Sequence, residues 1–183
     1  MSFVNLIMTD EFVSVICDGQ ITKNEQILQT HFKKMIGLQD FIVAVTGPQL
    51  IIENILGKFH FRSNLKFDDA SNFLTEILKR YQNQHSCNVL MAGFDETGNS
   101  HALTFHVENG EISLKTYDKS AVLSLLPDDS DFNPNPIILS NLTKNTENLI
   151  FHAQHLQRNA LYHVAKKSKT VNTIYFQEII KKP

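Results

Sequence analysis

Phe12-Val13-Ser14-Val15-Ile16-Cys17-Asp18-Gly19-Gln20-Ile21-Thr22 opens as an apolar, β-branched run and breaks into a polar turn. Read as a strand, it needs a partner, and Phe3 to Met8 supplies one across Thr9-Asp10-Glu11. The two runs form a β-hairpin. Both faces of each run are largely apolar, which suits strands sandwiched between two layers rather than strands with one wet face.

Working outward, Ser2 stands immediately before the first strand. Loss of Met1 would give Ser2 a free α-amino group beside its hydroxyl, so a nucleophile and a base arrive on one residue. An unperturbed α-amino group titrates at about 7.7 to 8.0 and can accept a proton near neutral pH. Asp18 and Lys34 follow Ser2 by sixteen and thirty-two residues, near the ends of expected strands where side chains can converge.

Beyond Thr22, Lys23 to Thr30 reads as a polar connection, followed by a strand pair, His31 to Ile36 and Phe41 to Val45, around the turn Gly37 to Asp40. Gly47-Pro48 punctuates, and Leu50 to Phe59 reads as a helix with Ile51, Ile55 and Phe59 on one face. A second helix carries Ala70, Phe73, Leu74, Ile77, Leu78 and Tyr81 at helical spacing, with Asp68 as the expected N-cap. Strands are predicted at Asn88 to Phe94, His101 to Val107, Glu111 to Tyr117 and Ala121 to Leu126, with Asn109-Gly110 signalling a type I′ hairpin. Pro127 to Pro136 is an acidic surface loop, a long helix is expected from about Thr143 to Lys166, and Val171 to Ile180 closes as a strand. This order predicts an α+β, four-layer α/β/β/α sandwich in one domain over 1–183.

With 183 residues and 42% hydrophobic content the chain can bury a sizeable core. A net charge of −2 with scattered Lys and Arg leaves no electrostatic footprint for nucleic acid. Cys17 and Cys87 lack C-x-x-C spacing and sit in apolar runs, which predicts buried thiols and, with no apolar stretch long enough for a membrane span, a cytoplasmic protein. His152 and His155 lie three residues apart on the long helix but find no third metal ligand, so a solvated helix face is the reading.

The register of Ser2, Asp18-Gly19-Gln20-Ile21-Thr22, Lys33-Lys34 and Ala44-Val45-Thr46-Gly47 resembles the N-terminal third of proteasome β-type subunits, most of all the HslV-like ones, within the N-terminal nucleophile (Ntn) hydrolases. Asn88 to Asp95 is similar to the family's central strand and turn. The resemblance implies a peptidase in which Ser2 attacks a peptide carbonyl, Lys34 held by Asp18 lowers the pKa of the hydroxyl and amine, and the Gly47 N–H stabilises the oxyanion. Substrate-binding positions map to Ile21, Phe32, Ile36 and Val45. No metal or organic cofactor is required. Implied partners are a peptide or unfolded protein substrate, further copies in a homo-oligomeric ring, and an AAA+ ATPase.

The chain also departs from the family. Ala121 to Leu142 contains no Gly where a Gly-Ser-Gly loop is usual, the C-terminal segment predicts a reduced helical layer, and Ser168 occupies the place of an acid that orients the N-terminal amine. A proteasome-like scaffold without catalysis, or an amidase acting on a small molecule, are the rival readings.

Overall fold

A computed structural model describes residues 2–81, 86–143 and 148–183. Strands β1 (Val4–Met8), β2 (Phe12–Asp18), β3 (Ile21–Lys23), β4 (Gln26–Gln29), β5 (Met35–Gly37) and β6 (Phe41–Thr46) precede helices α1 (Gln49–His60) and α2 (Phe67–Lys79). Strands β7 (Cys87–Phe94), β8 (Ser100–Glu108), β9 (Glu111–Tyr117) and β10 (Ala121–Leu125) follow, then α3 (Asn135–Leu142), α4 (Leu149–Lys167) and β11 (Tyr175–Lys181).

Two antiparallel sheets stack face to face, one ordered β10-β1-β2-β11 and the other β5-β6-β7-β8-β9. Strand alternation explains the layers. On β1, Val4, Leu6 and Met8 point between the sheets, whereas Ile7 points the other way, beneath the helical layer of α3 and α4. On β6, Ile42 and Ala44 face the inter-sheet core, and Phe41, Val43 and Val45 pack under α1 and α2. Every residue of β1, β2 and β6 is buried, as expected for strands covered on both faces. The α/β/β/α sandwich is therefore the observed architecture. Among the described residues, no helix is long and apolar enough to cross a membrane.

Local chemistry sets several boundaries. Asn109 and Gly110 adopt φ values of 52° and 84°, the left-handed pair a type I′ hairpin requires between β8 and β9. Helix α2 begins at Phe67 with Lys66 as N-cap, so the expected cap Asp68 instead lies with Asp69 in the first turn, where carboxylates favour the helix dipole.

Other elements differ from the sequence reading. The supposed polar connection contains the exposed hairpin β3–β4, whose turn places Asn24 and Glu25 at positive φ. Strand β5 is only three residues long, and β11 starts at Tyr175 because the segment before it makes side-chain and turn contacts rather than a ladder. The single long helix is instead two: α3 begins within the supposed loop, with Pro136 in its first turn, and α4 begins at Leu149. Residues 144–147, part of the expected helix, lie outside the described residues. The C-terminal helical layer therefore holds two helices, α3 of eight residues and α4 of nineteen, where the sequence reading expected one.

Candidate active site

The site lies where the start of β1, the end of β2, the start of β5 and the end of β6 meet at one end of the sandwich. Asp18 closes the β1–β2 ladder: its N–H donates to Phe3 O (3.2 Å), and its Oδ1 accepts the Phe3 N–H (2.9 Å). The chain is thereby clamped one residue after Ser2. Asp18 Oδ2 accepts from Lys34 Nζ at 2.7 Å and from the Gln20 N–H at 2.8 Å. Lys34 comes from the other sheet, where its carbonyl extends the β5–β6 pairing by accepting the Val45 N–H (2.9 Å). Alternation along this segment splits the two lysines, so Lys33 turns outward to Glu178 on β11 (2.6 Å).

Both members of the Asp18–Lys34 pair are 0% exposed. Burial pushes the Asp18 carboxyl pKa up, against the pull of the Lys34 ammonium and the Gln20 and Phe3 N–H groups. Burial likewise raises the Cys17 thiol to about 12 and Cys87 to about 11, so neither is a thiolate near neutral pH. Both cysteines are free and buried.

Gly47 follows β6 with φ 137°, a conformation that side chains rarely adopt. A Cβ there would stand 2.9 Å from Cys87 Cβ and 3.1 Å from Ser86 O. Ser2 and Gly47 line one cleft of about 1020 Å³, together with Ile21, Leu28, Leu50 and Thr170. The cleft runs between the β3–β4 hairpin and the start of α1.

Neither a family model nor a curated protein matches the sequence. Solved structures do match in fold. A eukaryotic HslV from Trypanosoma brucei superposes over 98% of this chain and 99% of its own, with a TM-score of 0.64 and 12% identity. Anbu, an ancestral β-subunit from Yersinia bercovieri, covers 98% of this chain and 82% of its own, with a TM-score of 0.75 and 14% identity. The fold is the proteasome-like fold of HslV and Anbu.

Within that proteasome-like frame, the four positions expected from the sequence to contact substrate share one apolar cluster. Ile21 and Val45 are buried in it, and Phe32 and Ile36 pack against it half-buried. Ile21 lines the cleft, whereas Phe32, Ile36 and Val45 stand behind its wall. His152 and His155 are engaged separately, His152 Nε2 with Asn141 O (3.1 Å) and His155 Nε2 with Asn159 Nδ2 (3.1 Å).

Three polar groups escaped the sequence reading. Asp129, from the loop before α3, accepts the Ser168 hydroxyl (2.7 Å) and the Lys169 N–H (2.9 Å). Gln20 ties that turn to the ion pair: its Nε2 donates to Lys169 O (2.8 Å) while its N–H goes to Asp18. Gln157 on α4 is completely buried and holds Ser14 Oγ, Ser14 O and Asn5 O from beneath the hairpin. Asp129 stands in an acidic run, Asp128-Asp129-Ser130-Asp131, but nothing local in the sequence says that this run meets Ser168 and Lys169. Gln157 had no signal either, because a buried amide on an amphipathic helix reads as one more polar residue.

Proposed function

We propose that the chain is an N-terminal-nucleophile peptidase of the proteasome-like kind, with Ser2 as nucleophile once Met1 is removed. The observation that carries this reading is the fully buried Asp18–Lys34 pair, clamped to the backbone one residue after Ser2. Burying two charges costs several kcal/mol per ion, and apolar residues of similar volume would often serve stability as well or better. Such a pair beside a cleft is therefore better explained by chemistry than by folding.

The Ser2 amine takes the hydroxyl proton, through a water, as Ser2 Oγ attacks the scissile carbonyl. The proton then passes to the leaving amine, and water releases the acyl group from Ser2. Asp18 occupies one of the three Nζ donors of Lys34, leaving positive charge to favour the ionised hydroxyl and the neutral amine. In this proposal the Gly47 N–H donates to the developing oxyanion, and the lack of a side chain lets the backbone pass close to Ser86 and Cys87. Ile21, backed by Phe32, Ile36 and Val45, favours an apolar substrate residue before the cleaved bond. A homo-oligomeric ring fed by an AAA+ ATPase, acting on peptides or unfolded proteins in the cytoplasm, completes the proposal.

The test is hydrolysis of short peptides with an apolar residue before the cleaved bond, by wild type, Ser2→Ala and Lys34→Ala. Activity in wild type alone supports the mechanism. Equal activity in all three rules it out, and no activity across a broad panel favours a scaffold.

A further inference from the structure

We propose that Asp129 is a positioning residue for the Ser2 amine, so that the acid missing at position 168 is supplied from the opposite side of the same turn. The proposal rests on the reading of Ser2 as the mature N-terminus. Its basis is a continuous hydrogen-bonded path around the chain start. Asp129 Oδ1 accepts from Ser168 Oγ (2.7 Å) and Thr170 Oγ1 (3.4 Å), and Oδ2 accepts from the Lys169 N–H (2.9 Å). Ser168 Oγ in turn accepts the Thr170 N–H (3.1 Å). Lys169 O receives Gln20 Nε2, and Gln20 N–H reaches Asp18, which holds Phe3 and Lys34. The path thus runs from one carboxylate to the other, and Thr170 and Asp128, neighbours of its outer half, line the cleft beside Ser2.

The chemistry favours this assignment over a purely structural turn. A serine at 168 can position but cannot carry charge, whereas a carboxylate at 129 does both. Burial would raise the Asp129 pKa, but hydrogen bonds from the Ser168 hydroxyl and the Lys169 N–H more than offset it, and the net shift is downward. Asp129 is therefore ionised at the pH where the amine must shuttle a proton. Other titratable groups surround the cleft: Asp18 and Lys34 from within, Asp128 and Lys169 beside Asp129, Lys23 and Glu25 on the β3–β4 hairpin, Glu53 on α1, and His106 and Glu108 on β8. Replacing Asp129 alone by a neutral isostere removes one negative charge and leaves the rest.

The experiment is competitive acylation of the N-terminal amine of the full-length protein across a pH series, read by mass spectrometry of the N-terminal peptide, with thermal melting of each variant alongside. In Asp129→Asn the amine should titrate a few tenths of a pH unit lower than in wild type, a difference that shrinks as salt is added. Ser168→Ala should lower the melting temperature with little change in the titration. Asp129→Ser combined with Ser168→Asp should return the titration toward wild type, because the charge is restored from the other side. An unmoved titration in Asp129→Asn, with melting lowered as in Ser168→Ala, would make Asp129 a tether of the turn and overturn the proposal. Peptide hydrolysis measured in parallel separates the two claims. A shifted titration without hydrolysis in wild type leaves Asp129 in place and removes the peptidase; hydrolysis with an unmoved titration does the reverse.

Discussion

Asp18 and Asp129 stand at the two ends of one hydrogen-bonded path through Gln20 and Lys169, and their surroundings differ in almost every respect. Asp18 is sealed between two sheets, paired with an equally buried lysine, and burial pushes its pKa up. Asp129 sits exposed on a loop, held by a hydroxyl and an N–H, and its pKa is drawn down. A charge inside the sandwich is fixed by the packing of whole strands, whereas a charge on the rim is fixed by one turn. Substitutions should therefore damage the molecule in proportion to how much of the fold each carboxylate is built into.

The largest effect is expected at the buried pair. Lys34→Met leaves Asp18 without its partner and should cost about 3–5 kcal/mol of stability in denaturant unfolding. Adding Asp18→Asn removes the unpaired charge while keeping an acceptor for the Phe3 N–H, and should recover part of that loss while hydrolysis stays absent, which separates the pair's contribution to folding from its contribution to chemistry. A double variant no more stable than Lys34→Met would show that the pair is needed by the fold itself.

Next comes the strained glycine. Gly47→Ala forces a Cβ against Cys87 and Ser86 at a φ that side chains rarely adopt, and should cost about 1–3 kcal/mol along with most of the peptidase activity. A full-activity Gly47→Ala would remove Gly47 from the site. Gln157→Leu tests the same contrast away from the cleft. It strands the Ser14 hydroxyl and two carbonyls, and should destabilise by about 1–3 kcal/mol without changing KM.

The smallest effect belongs to an exposed cluster. His101 lies between Asp118 and Asp95 (2.9 Å each), and although burial would lower its pKa, those carboxylates raise it. Burial opposes but does not prevent the fall of the Asp95 pKa under hydrogen bonds from Asn99, Thr97 and His101. The raised histidine stabilises the fold below its unfolded pKa of about 6.5, and that share fades as pH rises through its folded value. The depressed carboxylate stabilises above about 3.9, and its share fades as pH falls. Wild type minus His101→Ala should thus differ most between about pH 4 and 6.5, by a few tenths of a kcal/mol after solvent screening. A difference that is flat with pH would contradict this account.

The inner half of this contrast was legible in the sequence because strand periodicity and turn residues are local. The largely apolar runs Phe3 to Met8 and Phe12 to Cys17 announced burial on both faces, and of the spaced residues Asp18 and Lys34 meet while Ser2 and Gly47 line one cleft. The outer half was not, because it depends on long-range closure. Asp129 meets Ser168 and Lys169 only after α3 and α4 have turned the chain back, and α3 itself was hidden in a stretch whose prolines read as loop. The β3–β4 hairpin escaped for the opposite reason, since its strands are short and, beyond Ile21, largely exposed.

The central claim is that the mature chain begins at Ser2 and that Ser2 is the nucleophile. Treating the intact protein with an electrophile directed at N-terminal nucleophiles, then mapping the adduct by peptide mass spectrometry, tests it most directly. A single adduct on the peptide that starts at Ser2, absent in Ser2→Ala and suppressed in Lys34→Met, is the predicted result. A retained Met1, or labelling that persists in Ser2→Ala, would contradict it.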